Sequence, residues 1–486
     1  MVSRARLGLA VAVGLTLAAG TASAALLPGG GPGTGLAGLT QGVLPSQPPA
    51  PLRGLLPGAP APAATTPAPT VPATATPAVT TPGTGPATAP GTLATRPAPA
   101  AGTWHATATV VGGTSSSTVL LQVGGVTVGR ATVPARATRT VESVALVRDG
   151  GAFTVHSDAP AGGAPTVTGL TLAPAAPQLT IAGPQVLAAD GTPTQLRGVN
   201  TSGFDTSATG WHADAATADA IRGWGADAVR VPVSEAFWNS GNCVSDATYP
   251  DRVTTYVRQL TARGMLAIID LHTSGAGLPW CVGAPRQQKM ADTAALGFWH
   301  QVAAKFAGDP LVAFDLYNEP HDITVGVWRN GGHVDTYTAA GMQQMYDTVR
   351  AAGATNAVFV SGINWASDTT VARTAPLDGY GIVYAAHRYD WPTCGGVSPA
   401  ISHDWDIAAA DVPVVITEFG SNCGSGSATY DASVIAAAQQ RGMGWIAFNF
   451  GVGGPGGMAL LQDWNFNPTA SGIEVRRAMA GGAALR

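Results

Sequence analysis

The sequence predicts an α/β protein whose larger part is a (β/α)8 TIM barrel, preceded by a small all-β sandwich and a disordered linker. Three observations carry this prediction. Residues 177–486 alternate eight apolar strand runs with helical patterns, residues 104–176 show short alternating runs between turn residues, and residues 25–103 are dominated by Pro, Ala, Thr and Gly. Eight βα units in about 300 residues are what a closed parallel barrel requires. An open doubly wound sheet is the alternative, but no Gly-rich phosphate loop follows the first strand run.

Composition narrows the function classes. The chain has 486 residues, of which 45% are hydrophobic and 11% charged, and its 25 basic and 29 acidic residues give a net charge of -4. Such a balance lacks the positive field that holds a polyanion, so nucleic acid is excluded as an expected partner.

Residues 1–24 read as a signal peptide. Arg4 and Arg6 precede the apolar run Leu7 to Gly20, and Ala22-Ser23-Ala24 supplies the small residues of a cleavage site. The run falls short of the roughly 20 apolar residues of a membrane span. The expected product is a secreted, extracellular protein with no membrane association after cleavage. The linker at 25–103 has no aromatic residue and holds about half of the chain's 37 prolines. It cannot bury enough surface to fold and is expected to be an extended tether.

From Trp104 to Ala176, the runs Thr107 to Val111, Thr118 to Val123, Val126 to Thr132 and Thr166 to Leu172 suit a small β-sandwich of jelly-roll kind. Its shape resembles carbohydrate-binding modules, although Trp104 and Phe153 are its only large aromatics for stacking on sugar. A plain structural sandwich is the other reading.

The barrel strands are expected at Leu196–Asn200, Ala226–Val233, Leu266–His272, Leu311–Glu319, Asn356–Gly362, Ile382–Tyr389, Val412–Phe419 and Gly444–Phe450. Helical patterns lie between them, at Tyr249–Arg263, Ala294–Phe306, Asp335–Ala352 and Asp431–Arg441. Barrel chemistry gathers at the C-terminal ends of the strands, and the polar residues of this chain concentrate there. Arg230 lies in the second run, His272 ends the third, Asn318 and Glu319 end the fourth, His387 and Tyr389 end the sixth, and Glu418 ends the seventh. Two carboxylates on different strands of one barrel, with Arg, His and Tyr beside them, point to paired acid/base and nucleophilic work.

The segments Leu196-Arg197-Gly198-Val199-Asn200, Val229-Arg230-Val231-Pro232, Ile269-Asp270-Leu271-His272, Phe314-Asp315-Leu316-Tyr317-Asn318-Glu319-Pro320, His387-Arg388-Tyr389 and Ile416-Thr417-Glu418-Phe419-Gly420 resemble glycoside hydrolase family five, the cellulase family. The resemblance covers Gln178 to Arg486. It implies Glu319 as acid/base and Glu418 as nucleophile. Arg230 and Tyr389 would donate to Glu418 and keep it ionised, while Glu319, lacking such a cation, would stay protonated until substrate binds. Asn318 would bond the sugar 2-hydroxyl, and His272 and His387 would position substrate and carboxylates. Phe448 stands where such cellulases carry a stacking Trp. Trp280 and Trp365, in loops after the third and fifth strands, either stack on sugar or pack loops.

The expected activity is that of a retaining endo-β-1,4-glucanase acting on a polysaccharide or oligosaccharide as a monomer. Mannan or a short β-glucoside is an alternative substrate, and an inactive exported carbohydrate-binding protein is the alternative of another class. No cofactor is expected, and no metal, because no two His lie at ligand spacing on one element. Cys243, Cys281, Cys394 and Cys423 are spaced too widely for a zinc site, and export would oxidise them. The expected pairs are Cys243 with Cys281 and Cys394 with Cys423, joining neighbouring loops on the barrel rim.

Overall fold

The structure, a computed structural model, describes residues 91–240, 244–275, 287–390, 409–421, 427–453 and 458–480. The expected signal peptide, most of the expected linker, Trp280 and all four cysteines lie outside the described residues.

The sandwich has seven strands, β1 (Thr92–Pro97), β2 (Gly102–Val111), β3 (Ser117–Val123), β4 (Val126–Val133), β5 (Thr138–Val147), β6 (Ala152–Ser157) and β7 (Thr166–Pro174). One sheet runs β1-β6-β3-β4 and the other β5-β2-β7, with every pairing antiparallel. Alternate residues of β2, namely Ala106, Ala108 and Val110, point into a core shared with Val119, Leu121, Phe153 and Val155. This period of two is the pattern of a half-buried antiparallel strand.

Two sequence expectations are corrected here. The linker does not reach residue 103, because Thr92–Pro97 pairs along β6; that short Pro-ended stretch carries little pattern of its own and is ordered by its partner. Phe153 is fully buried and Trp104 is half-buried, its indole N–H donating to Ala100 O at 3.0 Å, so neither ring stands free as a sugar platform.

The second part is a closed barrel of eight parallel strands. In order these are Arg197–Thr201, Ala228–Ser234, Leu266–Thr273, Val312–Asp315, Val358–Ser361, Ile382–Tyr389, Val414–Gly420 and Gly444–Phe450. Buried on both faces, they read as near-continuous apolar runs, which made them visible in the sequence. The helices Tyr249–Thr261, Ala294–Phe306 and Ser427–Gln440 fall where expected. The expected helix Asp335–Ala352 is shorter, Met342–Ala351, because Gly332–Val334 and Tyr337–Ala339 form a hairpin ahead of it. Among the described residues no helix is long and apolar enough to cross a membrane.

Inside the barrel the alternating inward positions change character along the axis. Near the N-terminal ends Leu196, Ala228, Leu266, Ile268, Ala313, Phe359, Val383 and Val415 form one apolar cluster. A hairpin of Thr180–Ala182 and Gln185–Leu187 closes that end, adding Leu179, Ile181 and Val186. Farther up the same strands the inward side chains are Arg230, Asp270, Asp315 and His387. The sandwich docks at the closed end: β4 pairs antiparallel with Gly379–Tyr380, the two residues that precede the sixth barrel strand, and Gly183 N–H in the hairpin donates to Thr127 O at 3.0 Å. A two-residue edge strand leaves no readable pattern in the sequence.

Candidate active site

At the open end, Arg230 is the hub. Its guanidinium is fully buried, so each of its five N–H donors needs a partner. Nε donates to Asp315 Oδ2 at 2.9 Å, Nη1 to Asn200 Oδ1 at 3.1 Å and to Glu418 Oε1 at 2.5 Å, and Nη2 to Asn318 Oδ1 at 2.8 Å. Nη2 also forms an ion pair with Asp270 Oδ1 at 2.9 Å. The planar fork thereby fixes side chains from the first, third, fourth and seventh strands relative to one another.

Glu418 sits at a register shift between the sixth and seventh strands, where Ala386 faces Ile416 but His387 faces Glu418. Strict alternation from Val415 and Thr417 would point residue 418 out of the barrel, and the irregularity turns it inward. Its Oε2 accepts from the Tyr389 hydroxyl at 2.7 Å. Burial alone would raise its pKa, but the charges of His387, Arg230 and His272 and the Tyr389 hydrogen bond outweigh burial and hold it down at about 2. Tyr389, pushed well above the usual tyrosine range by burial and by the charges of Glu418 and Glu319, stays a phenol that can donate.

Glu319 approaches from the fourth strand's loop. Its Oε1 lies 2.8 Å from His387 Nδ1, which is 3.6 Å from Glu418 Oε2. Oxygens of Glu319 and Glu418 come within 4.8 Å of each other. Glu319 keeps 18% side-chain exposure against 4% for Glu418, so it is the wetter of the two. His272 pairs with Asp270 through Nδ1 at 2.7 Å. Although burial opposes its charge, Asp270 first, and then Asp205 and Glu418, push its pKa up to about 9.

Phe448, at the end of the eighth strand, meets Tyr389 edge-on with ring centroids 6.4 Å apart. Trp365 is 48% exposed on the rim and stacks on His321 with ring centroids 3.5 Å apart, while its backbone N–H donates to Pro320 O at 2.9 Å. It therefore flanks the Glu319 side of the cleft.

Sequence reasoning assigned no role to four residues that hold the site together: Asn200, Asp270, Asp315 and Gln287. A signal existed for the two Asp residues, since an Arg in a barrel strand has to be neutralised from neighbouring strands and both runs carry an Asp at an inward position. Gln287, whose Oε1 accepts from Asn318 Nδ2 at 3.1 Å and whose Nε2 donates to Glu319 O at 3.2 Å, sits in a loop and gave none.

Two sets of side chains could offer ligand atoms to a cation, namely Asp270, His272 and Glu418, and Glu319, His387 and Glu418. Both sets need Glu418. Its oxygens are taken by Arg230 and Tyr389, and a metal ion there would sit beside a buried guanidinium.

Fold and site together define a (β/α)8 protein with a facing pair of carboxyl groups at the C-terminal end of its strands. Among known proteins, the family model described as Cellulase (glycosyl hydrolase family 5) matches residues 187–454, and the chain belongs to that family. The manganese dependent endoglucanase Eg5A of Phanerodontia chrysosporium is 27% identical over 233 residues, 43% of this chain and 57% of that protein. Endoglucanase E-5 of Thermobifida fusca is 24% identical over 281 residues, 56% of this chain and 55% of its own length. The chain thus spans about half the length of these curated relatives. The crystal structure of the catalytic domain of Thermobifida fusca endoglucanase Cel5A shares the fold with a TM-score of 0.50 and 18% identity, covering 63% of this chain and 98% of that one.

Proposed function

We propose that this protein is a secreted, monomeric retaining β-glycosidase that hydrolyses β-1,4-linked glucan, with Glu418 as nucleophile and Glu319 as acid/base. The observation that carries the reading is the spacing and asymmetry of the two carboxyls: their oxygens are within 4.8 Å, and only Glu418 is bonded to Arg230 and Tyr389. Retaining enzymes place these groups about 5–5.5 Å apart, whereas an inverting enzyme needs roughly 6.5–9.5 Å to admit a water.

In the first step the ionised Glu418 forms a bond to the anomeric carbon as the glycosidic C–O bond breaks, and Glu319 gives its proton to the departing oxygen. Glu319 then takes a proton from water, which attacks the anomeric carbon and releases Glu418 with retained configuration. Asn318, held by Arg230 and Gln287, has an amide N–H to offer the 2-hydroxyl. His387 bridges the two carboxyls, and His272, a cation below about 9, adds field that keeps Glu418 ionised. Phe448, Trp365 and Trp280 would serve as stacking surfaces, Trp365 on the leaving-group side because it flanks Glu319.

The relatives named as endoglucanases support glucan over mannan or a short β-glucoside. For the cysteines the proposed pairs remain Cys243 with Cys281 and Cys394 with Cys423, testable by non-reducing peptide mapping. For the sandwich we propose docking to the barrel in place of sugar binding. The test of the main reading is NMR of the first product formed from a soluble cellulose derivative. A β-anomer is expected; an initial α-anomer would exclude retention, and no reducing ends at all would favour a binding protein that has lost activity.

A further inference from the structure

Gln287 grips the Asn318-Glu319 segment from one side, touching the amide of one residue and the carbonyl of the next, so what holds Gln287 bears on the acid/base. The segment 287–292 is pinned by two tyrosines. Tyr317 Oη donates to Gln288 O at 2.6 Å and accepts from Gln288 N–H at 3.0 Å, and Tyr337 does the same at Met290, at 2.8 and 3.2 Å. At its far end the segment meets a second pair of carboxyls, outside the set bonded to Arg230. Asp292, 5% exposed, accepts from Ala294 N–H at 2.5 Å and from Ser274 Oγ at 3.4 Å. Beside it Glu235, 2% exposed and next after the second barrel strand, accepts from Gly275 N–H at 3.1 Å through Oε1. Its Oε2 is buried and accepts no hydrogen bond.

Two ionised carboxylates in contact and out of water would repel strongly. The groups that bear on the pair are Ser274 and Gly275 from the third strand's end, Tyr317 from the fourth and Tyr337 from the hairpin; among the described residues named against the pair there is no cation. A buried oxygen without a donor is costly unless it is itself the donor. Asp292 already accepts two hydrogen bonds, one from the start of a helix, and is the ionised member. Glu235 Oε2 is then the atom that carries the proton. Burial first, and the charge of Asp292 second, also push Glu235 well above the usual carboxyl range.

We propose that Glu235 and Asp292 share one proton, with Glu235 Oε2–H donating to Asp292, and that this buried acid pair positions Gln287 against Asn318 and Glu319. The link to catalysis rests on Glu319 being the acid/base. Loss of the shared proton at alkaline pH sets two buried charges against each other and frees the segment 287–292.

The test compares the full-length protein with Glu235→Gln, whose amide can donate to Asp292 but cannot titrate. Infrared difference spectra at neutral pH are expected to show the carbonyl stretch of a protonated carboxyl group in the parent and its loss in the variant. On an activated aryl glycoside, whose departure does not need the Glu319 proton, Glu235→Gln should stay within about threefold of the parent at neutral pH and hold its activity to higher pH, whereas Gln287→Ala should lower kcat about tenfold with an unchanged Tm. Absence of the carboxyl band, or an alkaline limb that Glu235→Gln does not move, would overturn the proposal. The infrared band does not depend on turnover, so its absence sinks the acid pair alone, while a parent protein that cleaves no glycoside sinks the functional reading.

Discussion

The two ends of one barrel interior are built from the same eight strands and hold opposite chemistry. At the closed end, inward positions are Ala, Val, Leu, Ile and Phe, plugged by a hairpin that carries Ile181 and Val186. At the open end, two or three residues farther along the same strands, they are Arg230, Asp270, Asp315, His387 and Glu418, wired through one guanidinium. A buried apolar layer stabilises by filling space, tolerates changes of shape and needs no particular partner. A buried polar layer is neutral at best for stability, and each group in it depends on all the others. The contrast teaches that stability and chemistry can be damaged separately here, and mutations at the two ends should show it.

The largest expected effect is at the nucleophile. Glu418→Ala should lower kcat roughly 10⁴-fold or more, and azide, a small anion that fits the vacated space, should restore turnover with an inverted product. No rescue, with the protein shown to be folded by circular dichroism, would remove Glu418 from the nucleophile's role.

Next comes a matched pair. Arg230→Met strips three carboxylates and two amides of their shared donor and should cost about 3–5 kcal/mol. Phe359→Ala, in the apolar layer of the fifth strand, should also cost about 3–5 kcal/mol. Denaturant titration should find the two similarly destabilised. Turnover per folded molecule should fall by orders of magnitude only in the first, and equal losses in both would mean that the ends are coupled, contrary to the division drawn above.

The polar end should also be the source of pH sensitivity. Glu418, held at about 2 against a usual 4.5, contributes stability that is present above about 4.5 and is lost as pH falls through about 2. His272, raised to about 9 from 6.5, contributes stability that is fully present below 6.5 and is lost as pH rises through about 9. His272→Gln should therefore flatten the decline of Tm between pH 6.5 and 9. An unaltered decline would show that Asp270 does not hold a charged imidazole.

How much of this could be read beforehand follows the same division. The barrel strands announced themselves because burial on both faces removes polar residues from the run, so Arg230, His272, Glu319, His387, Tyr389 and Glu418 stood out against apolar flanks. What stayed hidden depends on partners distant in sequence. Asn200 and Asp315 acquire meaning only when Arg230 is seen between them, Glu418 faces inward by a register shift that no local pattern records, and Thr92–Pro97 is a strand because β6 lies beside it. The docking of the sandwich was missed for the same reason, since Gly379–Tyr380 is too short to read as a strand.

That docking gives the smallest expected effect on catalysis. The sandwich touches the barrel through Gly379–Tyr380, through Thr132 Oγ1 donating to Asp378 Oδ1 at 3.2 Å, and through His105, whose ring lies 6.0 Å from that of Tyr380. All of these lie beneath the closed end, whereas Glu319 and Glu418 lie at the other. Deleting residues 25–90 should leave Tm and hydrolysis of soluble substrate unchanged, because a stretch dominated by Pro, Ala, Thr and Gly and without an aromatic residue has too little apolar surface to add to a core. Deleting residues 25–176 exposes an edge strand and the hairpin at 180–187, and should lower Tm by roughly 2–4 °C for each kcal/mol of interface lost. Below that lower Tm, kcat should remain within about twofold of the parent, since the apolar layer between the two ends packs without the sandwich. A loss of kcat as large as that of Arg230→Met would show that the closed end transmits its strain to the open one, and the separation of stability from chemistry would have to be abandoned.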